Sequence, residues 1–146
     1  MTRLRKFIAL GPDERRIVLQ ALVSVVAMRL ATWTMPFQRV RALADRMRSR
    51  SSRALPENPS RERIVWAVMA AANLVPGGSN CLVRALAAEV MLGRYGYPAE
   101  LRFGVASPAA GGFKAHAWLE SDGAVVIGDF ELENYVPLAR TDPSTR

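Results

Sequence analysis

The sequence predicts an α+β domain in which helices come first and a small antiparallel sheet follows. Three observations carry this. Apolar residues recur at helical spacing from Ile17 to Met91, the pattern becomes alternating after Pro98, and Ser121-Asp122-Gly123 separates two alternating runs in the way a hairpin turn does.

The helices have legible punctuation. Gly11-Pro12-Asp13-Glu14 opens the first with acidic residues in its first turn, the run from Ile17 to Trp33 continues it, and it should end before Pro36. In "QRVRALADRMRSR", Val40, Leu43, Ala44 and Met47 share one face amid Arg39, Arg41, Arg46, Arg48 and Arg50, which predicts a basic amphipathic helix. Residues 49–60 read as a connection rich in Ser and Pro. Ser60 then caps a helix whose apolar stripe is Ile64, Val65, Val68, Met69 and Ala72. "PGGSN" breaks it. The next helix, "CLVRALAAEVMLGRYG", turns Leu82, Ala85, Leu86 and Val90 or Met91 inward and stops at Gly93 or Gly96. Strands follow in "AELRFGVA", with Leu101, Phe103 and Val105 alternating, and in "FKAHAWLE" and "AVVIGDF".

At 146 residues and 50% apolar composition, the chain can bury a core without disulfide or metal staples. One cysteine excludes an internal disulfide, and one cysteine with one histidine falls short of a structural zinc site. No metal or other cofactor is expected. Charge is divided unevenly: residues 1–53 hold 12 Arg/Lys against 3 Asp/Glu, or +9, and residues 54–146 hold 8 against 10, or −2. The front is therefore read as a basic helical region, 1–53, and the rest, 54–146, as the core domain, the two expected to pack as one unit. The basic region suits an anionic surface or an acidic partner. The start lacks a secretory cleavage pattern, and "IVLQALVSVVAMRLATWTMPF" is interrupted by Gln20, Arg29 and Pro36, so a buried or surface-lying helix in a cytoplasmic protein is expected, with peripheral membrane contact through the front helices left open.

The chemistry gathers on the single cysteine and the single histidine. Cys81 occupies the first or second position of its helix, depending on whether Asn80 or Ser79 is the cap. There the helix dipole and unpaired N–H groups favour a thiolate and can hold the oxyanion formed when it attacks a carbonyl. A thiolate nucleophile needs an imidazole to relay protons, and His116 is the candidate. In a hairpin turning near residues 121 and 122, His116 lies across from residue 127 or 128, with Asp129 just beyond to fix the imidazole tautomer. A small core cysteine, a structural histidine and a turn aspartate are the plainer readings of the same residues. Trp118 shares a strand face with His116, either lining a cleft or packing; Arg84, one turn beyond Cys81, either touches substrate or is solvated; Asn80 assists the oxyanion or only caps the helix.

"CLVRALAAEVMLGRYGYPAELRFGV" followed by "FKAHAWLESDGAVVIGD" resembles the stand-alone lasso-peptide B proteins, leader peptidases with a transglutaminase-like, papain-related fold; the likeness covers roughly residues 11–138. The resemblance implies that Cys81 is the nucleophile, that His116 is general base and acid, and that Asp129 orients the histidine. It departs at Gly128, where such proteins commonly carry Asn. It implies a catalytic helix packed on a small antiparallel sheet, a precursor peptide as substrate, a separate leader-recognition protein, and an asparagine-synthetase-like lasso cyclase as the next enzyme. Two other readings stand beside it. One is an acyltransferase or transglutaminase that uses the triad with an amine acceptor; the other is a non-catalytic basic helical adaptor on a membrane or nucleic acid. The peptidase reading expects no nucleic-acid partner.

Overall fold

The computed structural model describes residues 2–49, 59–77, 80–106, 111–112, 114–128 and 135–138. In chain order these form α1 (Thr2–Ala9), α2 (Pro12–Thr34), α3 (Phe37–Ser49), α4 (Arg61–Ala72), α5 (Cys81–Arg94), β1 (Glu100–Ala106), β2 (Lys114–Ser121), β3 (Ala124–Ile127) and β4 (Val136–Pro137). This is the α+β order the sequence predicts. The short α1 and the two-residue β4 are additions to it, and the connection at residues 50–58 lies outside the described residues.

Local chemistry sets the helix ends. Pro12 stands in the first turn of α2 with Asp13 and Glu14, where a missing N–H costs nothing and carboxylates face the positive end of the dipole; Met35 turns extended just before Pro36. The Ser60 hydroxyl accepts from the Arg63 amide at 3.3 Å and starts α4. Helix α5 runs through Gly93 and ends at Tyr95, followed by Gly96 with φ +82°, so Gly96 and not Gly93 marks the stop. Gly93 instead makes room for the Arg48 side chain, which passes over it and would collide with a Cβ.

Helix α5 is the axis of the core. From Ala85 to Leu92 every residue is buried, and α2, α3 and α4 all pack against it. Ala21, Val25 and Met28 from α2, Ile64 and Val68 from α4, and Leu86 and Met91 from α5 are completely sealed from solvent. One charge lies among them. Glu89 accepts from Arg41 Nη1 at 2.5 Å and Nη2 at 3.2 Å, and Arg48 Nη1 reaches it at 3.4 Å, so α3 is held to α5 by a bidentate pair with a second guanidinium nearby. Gln20, which interrupts the apolar run of α2, accepts from the Tyr95 hydroxyl at 2.6 Å. Among the described residues α2 alone is long and apolar enough to cross a membrane, by length and composition; one of its faces closes the core.

The sheet has the order β3-β2-β1-β4 with every pair antiparallel. Asp122 and Gly123, at φ 50° and 78°, form the two-residue loop of the β2–β3 hairpin, a geometry whose twist suits the flanking strands. The register differs from the symmetric hairpin expected from sequence. The turn lies at Asp122-Gly123, one position later than expected, and a bulge between Leu119 and Glu120 shifts the pairing by one residue more, so Ile127 stands opposite Leu119 and not opposite His116.

Candidate active site

Cys81 is the first residue of α5. Asn80 is its cap: the side-chain Oδ1 accepts from the Leu82 amide at 2.9 Å, which settles the choice between Asn80 and Ser79, and Ser79 itself lies outside the described residues. Cys81 as a residue is of intermediate burial, neither sealed in the core nor fully exposed. The amides of a helix's first turn have no intrahelical acceptor, and here the Asn80 side chain engages that of Leu82.

Two polar ties run from the ends of α4, one to the sheet and one to the start of α5. Arg61 at the start of α4 pairs with Asp122 in the β2–β3 turn. At the other end of α4, Asn73 Oδ1 accepts from Arg84 Nη2 at 3.3 Å in the first turn of α5. The first turn of α5 is therefore tied to the end of α4 opposite the one that meets the β2–β3 turn. His116 is the third residue of β2.

The imidazole is held firmly. His116 Nε2 lies 2.7 Å from the Gly128 carbonyl. A carbonyl can only accept, so Nε2 is the donor, and the neutral tautomer compatible with this bond has Nδ1 as its basic nitrogen. Trp118 stacks beside the ring at 6.1 Å between centroids, and Tyr135 lies at 5.1 Å. Gly104, the partner of His116 on β1, makes room for this group: a Cβ there would come within 2.7 Å of the Trp118 ring and 3.0 Å of Tyr135 Cβ. Trp118 is buried, and its Nε1 donates to Glu120 Oε1 at 3.1 Å, so Glu120 is an acceptor in this cluster and not the bare hairpin charge that its position suggests.

Alternation along β2 sends Ala117, Leu119 and Ser121 to one face and His116, Trp118 and Glu120 to the other. Leu119 joins the core that α5 fills. The Cys81 thiol forms no hydrogen bond to His116 among the described residues; the imidazole projects from the sheet face opposite the one that α5 packs against, and its ring is tied to the Gly128 carbonyl. Asp129 lies outside the described residues. The acceptor on the imidazole is the carbonyl of the residue just before it. Gly128 has φ +83°, and a Cβ would sit 2.9 Å from the Ala117 carbonyl, so both the torsion and the space call for glycine at the position where the resemblance led one to expect Asn. Sequence reasoning missed the Gly128 carbonyl, Tyr135 and Gly104; a glycine in the middle of an alternating strand was the available signal for the last. An apolar cavity of 270 Å³ lies between α1, α2 and α4, with Val18, Trp66 and Leu74 among its lining, and no candidate site residue lines it.

Residues 22–140 match the family model described as the Transglutaminase-like superfamily, which is most of the chain. No curated protein and no solved structure matches.

Proposed function

We propose, because this chain belongs to the transglutaminase-like superfamily, that it is a cysteine peptidase removing the leader from a ribosomally made lasso-peptide precursor. That superfamily includes cysteine peptidases and transglutaminases. The observation that carries the reading is Cys81 at the capped start of α5, in a chain whose only histidine donates Nε2–H to the Gly128 carbonyl, the tautomer that leaves Nδ1 as the basic nitrogen.

In the proposed cycle, Nδ1 takes the thiol proton and the thiolate adds to the scissile carbonyl, forming the C–S bond. The tetrahedral intermediate collapses as the imidazolium gives its proton to the departing amine, and the C–N bond breaks. Water, deprotonated by His116, then cleaves the thioester and restores the thiol. The Gly128 carbonyl keeps Nε2–H engaged throughout, and Asp129 takes the orienting role that the resemblance implies. The cycle requires sulfur and Nδ1 to come within hydrogen-bond reach around the sheet's edge when substrate binds, because His116 projects from the face opposite the one α5 packs against. Asn80 and Arg84 flank the thiol and Trp118 backs the imidazole. The enzyme acts in the cytoplasm on a precursor presented by a separate leader-recognition protein, and the freed amine passes to an asparagine-synthetase-like cyclase.

The test is incubation of precursor and recognition protein with wild type or Cys81→Ala, read by mass spectrometry. A leader and a core with a free amine are expected from wild type alone. Undiminished cleavage by the variant overturns the assignment, and an amine-linked product in place of a hydrolysed one turns the same thiol chemistry into acyl transfer.

A further inference from the structure

We propose that the outer face of α2 docks on an anionic phospholipid surface. Leu19, Val23, Val26, Leu30 and Trp33 follow one another at steps of four, three, four and three residues, which keeps them on a single helix face. All five are exposed, Val23 to 63% and Trp33 to 75%, and the apolar surface continues around the corner into α3 through Met35 and Phe37. At 1.5 Å per residue the stripe from Leu19 to Trp33 is about 21 Å long. Between Arg16 and Arg39 no charged residue is exposed along it; Arg29, at its flank, is partly buried and directs Nε to the Pro76 carbonyl at 3.4 Å.

The opposite face of α2 decides the mode of contact. Ala21, Val25 and Met28 are completely buried against the rest of the helical layer, so α2 cannot enter a bilayer as a span without opening the core. Only the outer face is free to lie in the headgroup boundary.

Charge decides the occupant. The stripe is bracketed by exposed Arg16 and Arg39, and exposed Arg5, Lys6 and Arg46 belong to the adjoining helices. The acidic residues nearby are largely engaged: Glu14 with Arg63 and Asp45 with Arg48. Residues 1–53 carry 12 positive against 3 negative side chains, or +9, so a second copy would bring a like-charged face to this one, whereas an anionic lipid surface complements it. Trp33 at the end of the stripe is the side chain most suited to a headgroup boundary.

The experiment is flotation of the full chain with phosphatidylcholine vesicles, with and without phosphatidylglycerol. Binding is expected only with phosphatidylglycerol and should weaken as salt is raised. Leu30→Gln with Trp33→Gln, both at exposed positions, should reduce partitioning by on the order of tenfold or more, while Cys81→Ala should float like wild type. The proposal is overturned if phosphatidylglycerol makes no difference, or if the double variant floats unchanged. It is equally overturned if wild type is a dimer that the double variant dissociates, since the stripe would then be a protein interface.

Discussion

In the helical layer, Val25, Met28, Ile64, Val68, Leu86 and Met91 are sealed from solvent around α5; on the outer face of the sheet, His116, Trp118, Glu120 and Tyr135 are joined by a hydrogen bond and ring contacts. The first region gains its stability from apolar area removed from water, which tolerates no gap but asks little of direction. The second depends on direction: the imidazole is useful only while a carbonyl fixes which nitrogen holds the proton. The difference teaches that folding energy and the fixed imidazole reside in different layers. A substitution in one layer should therefore leave the other largely undisturbed.

The sharpest way to break that division is His116→Ala. It should lower cleavage by about 10²–10⁴-fold with little change in thermal midpoint; a large loss of stability alongside would make His116 a packing residue. Leu86→Ala tests the other layer. Removing a fully buried leucine side chain from the centre of α5 should cost about 2–5 kcal/mol in urea unfolding. A much smaller cost would mean that α5 is not the axis of the core.

Gly128→Ala probes the seam between the layers. With φ at +83° and a Cβ 2.9 Å from the Ala117 carbonyl, alanine should destabilise by about 1–3 kcal/mol, and cleavage should fall further than stability accounts for because the carbonyl on His116 shifts. Activity that survives intact at a temperature well below unfolding would remove Gly128 from the orienting role. The smallest effect is expected from Asn80→Ala, which loses a helix cap worth about 0.5–2 kcal/mol. The rate of Cys81 alkylation is the sensitive readout here, because the cap governs how the first turn presents the sulfur.

The helical layer was more legible in the sequence than the sheet, and the reason is local. Pro12, Ser60, Asn80 and Pro36 each act on their own helix end through backbone chemistry within a few residues, and the stripes of α3 and α4 follow from a fixed period. Counting back from a turn at residues 121 and 122 misplaced Ile127 because the turn sits one position later, and the bulge at Leu119 and Glu120, which depends on how two strands settle against each other, added a further shift. Glu89 reads as an outward charge until Arg41 and Arg48 arrive from a helix more than 40 positions away. Cys81 and His116 stood out as the sole members of their types. The atom that orients the imidazole is a main-chain oxygen, which no choice of side chain announces.

Cys81 is the sole sulfhydryl among 146 residues, and it is partly open to solvent. A maleimide or iodoacetamide reagent can therefore bear just one adduct per molecule, and that adduct reports from the tip of α5. A fluorophore placed there would need no engineered attachment point, and the stoichiometry of its uptake would count competent molecules in any preparation.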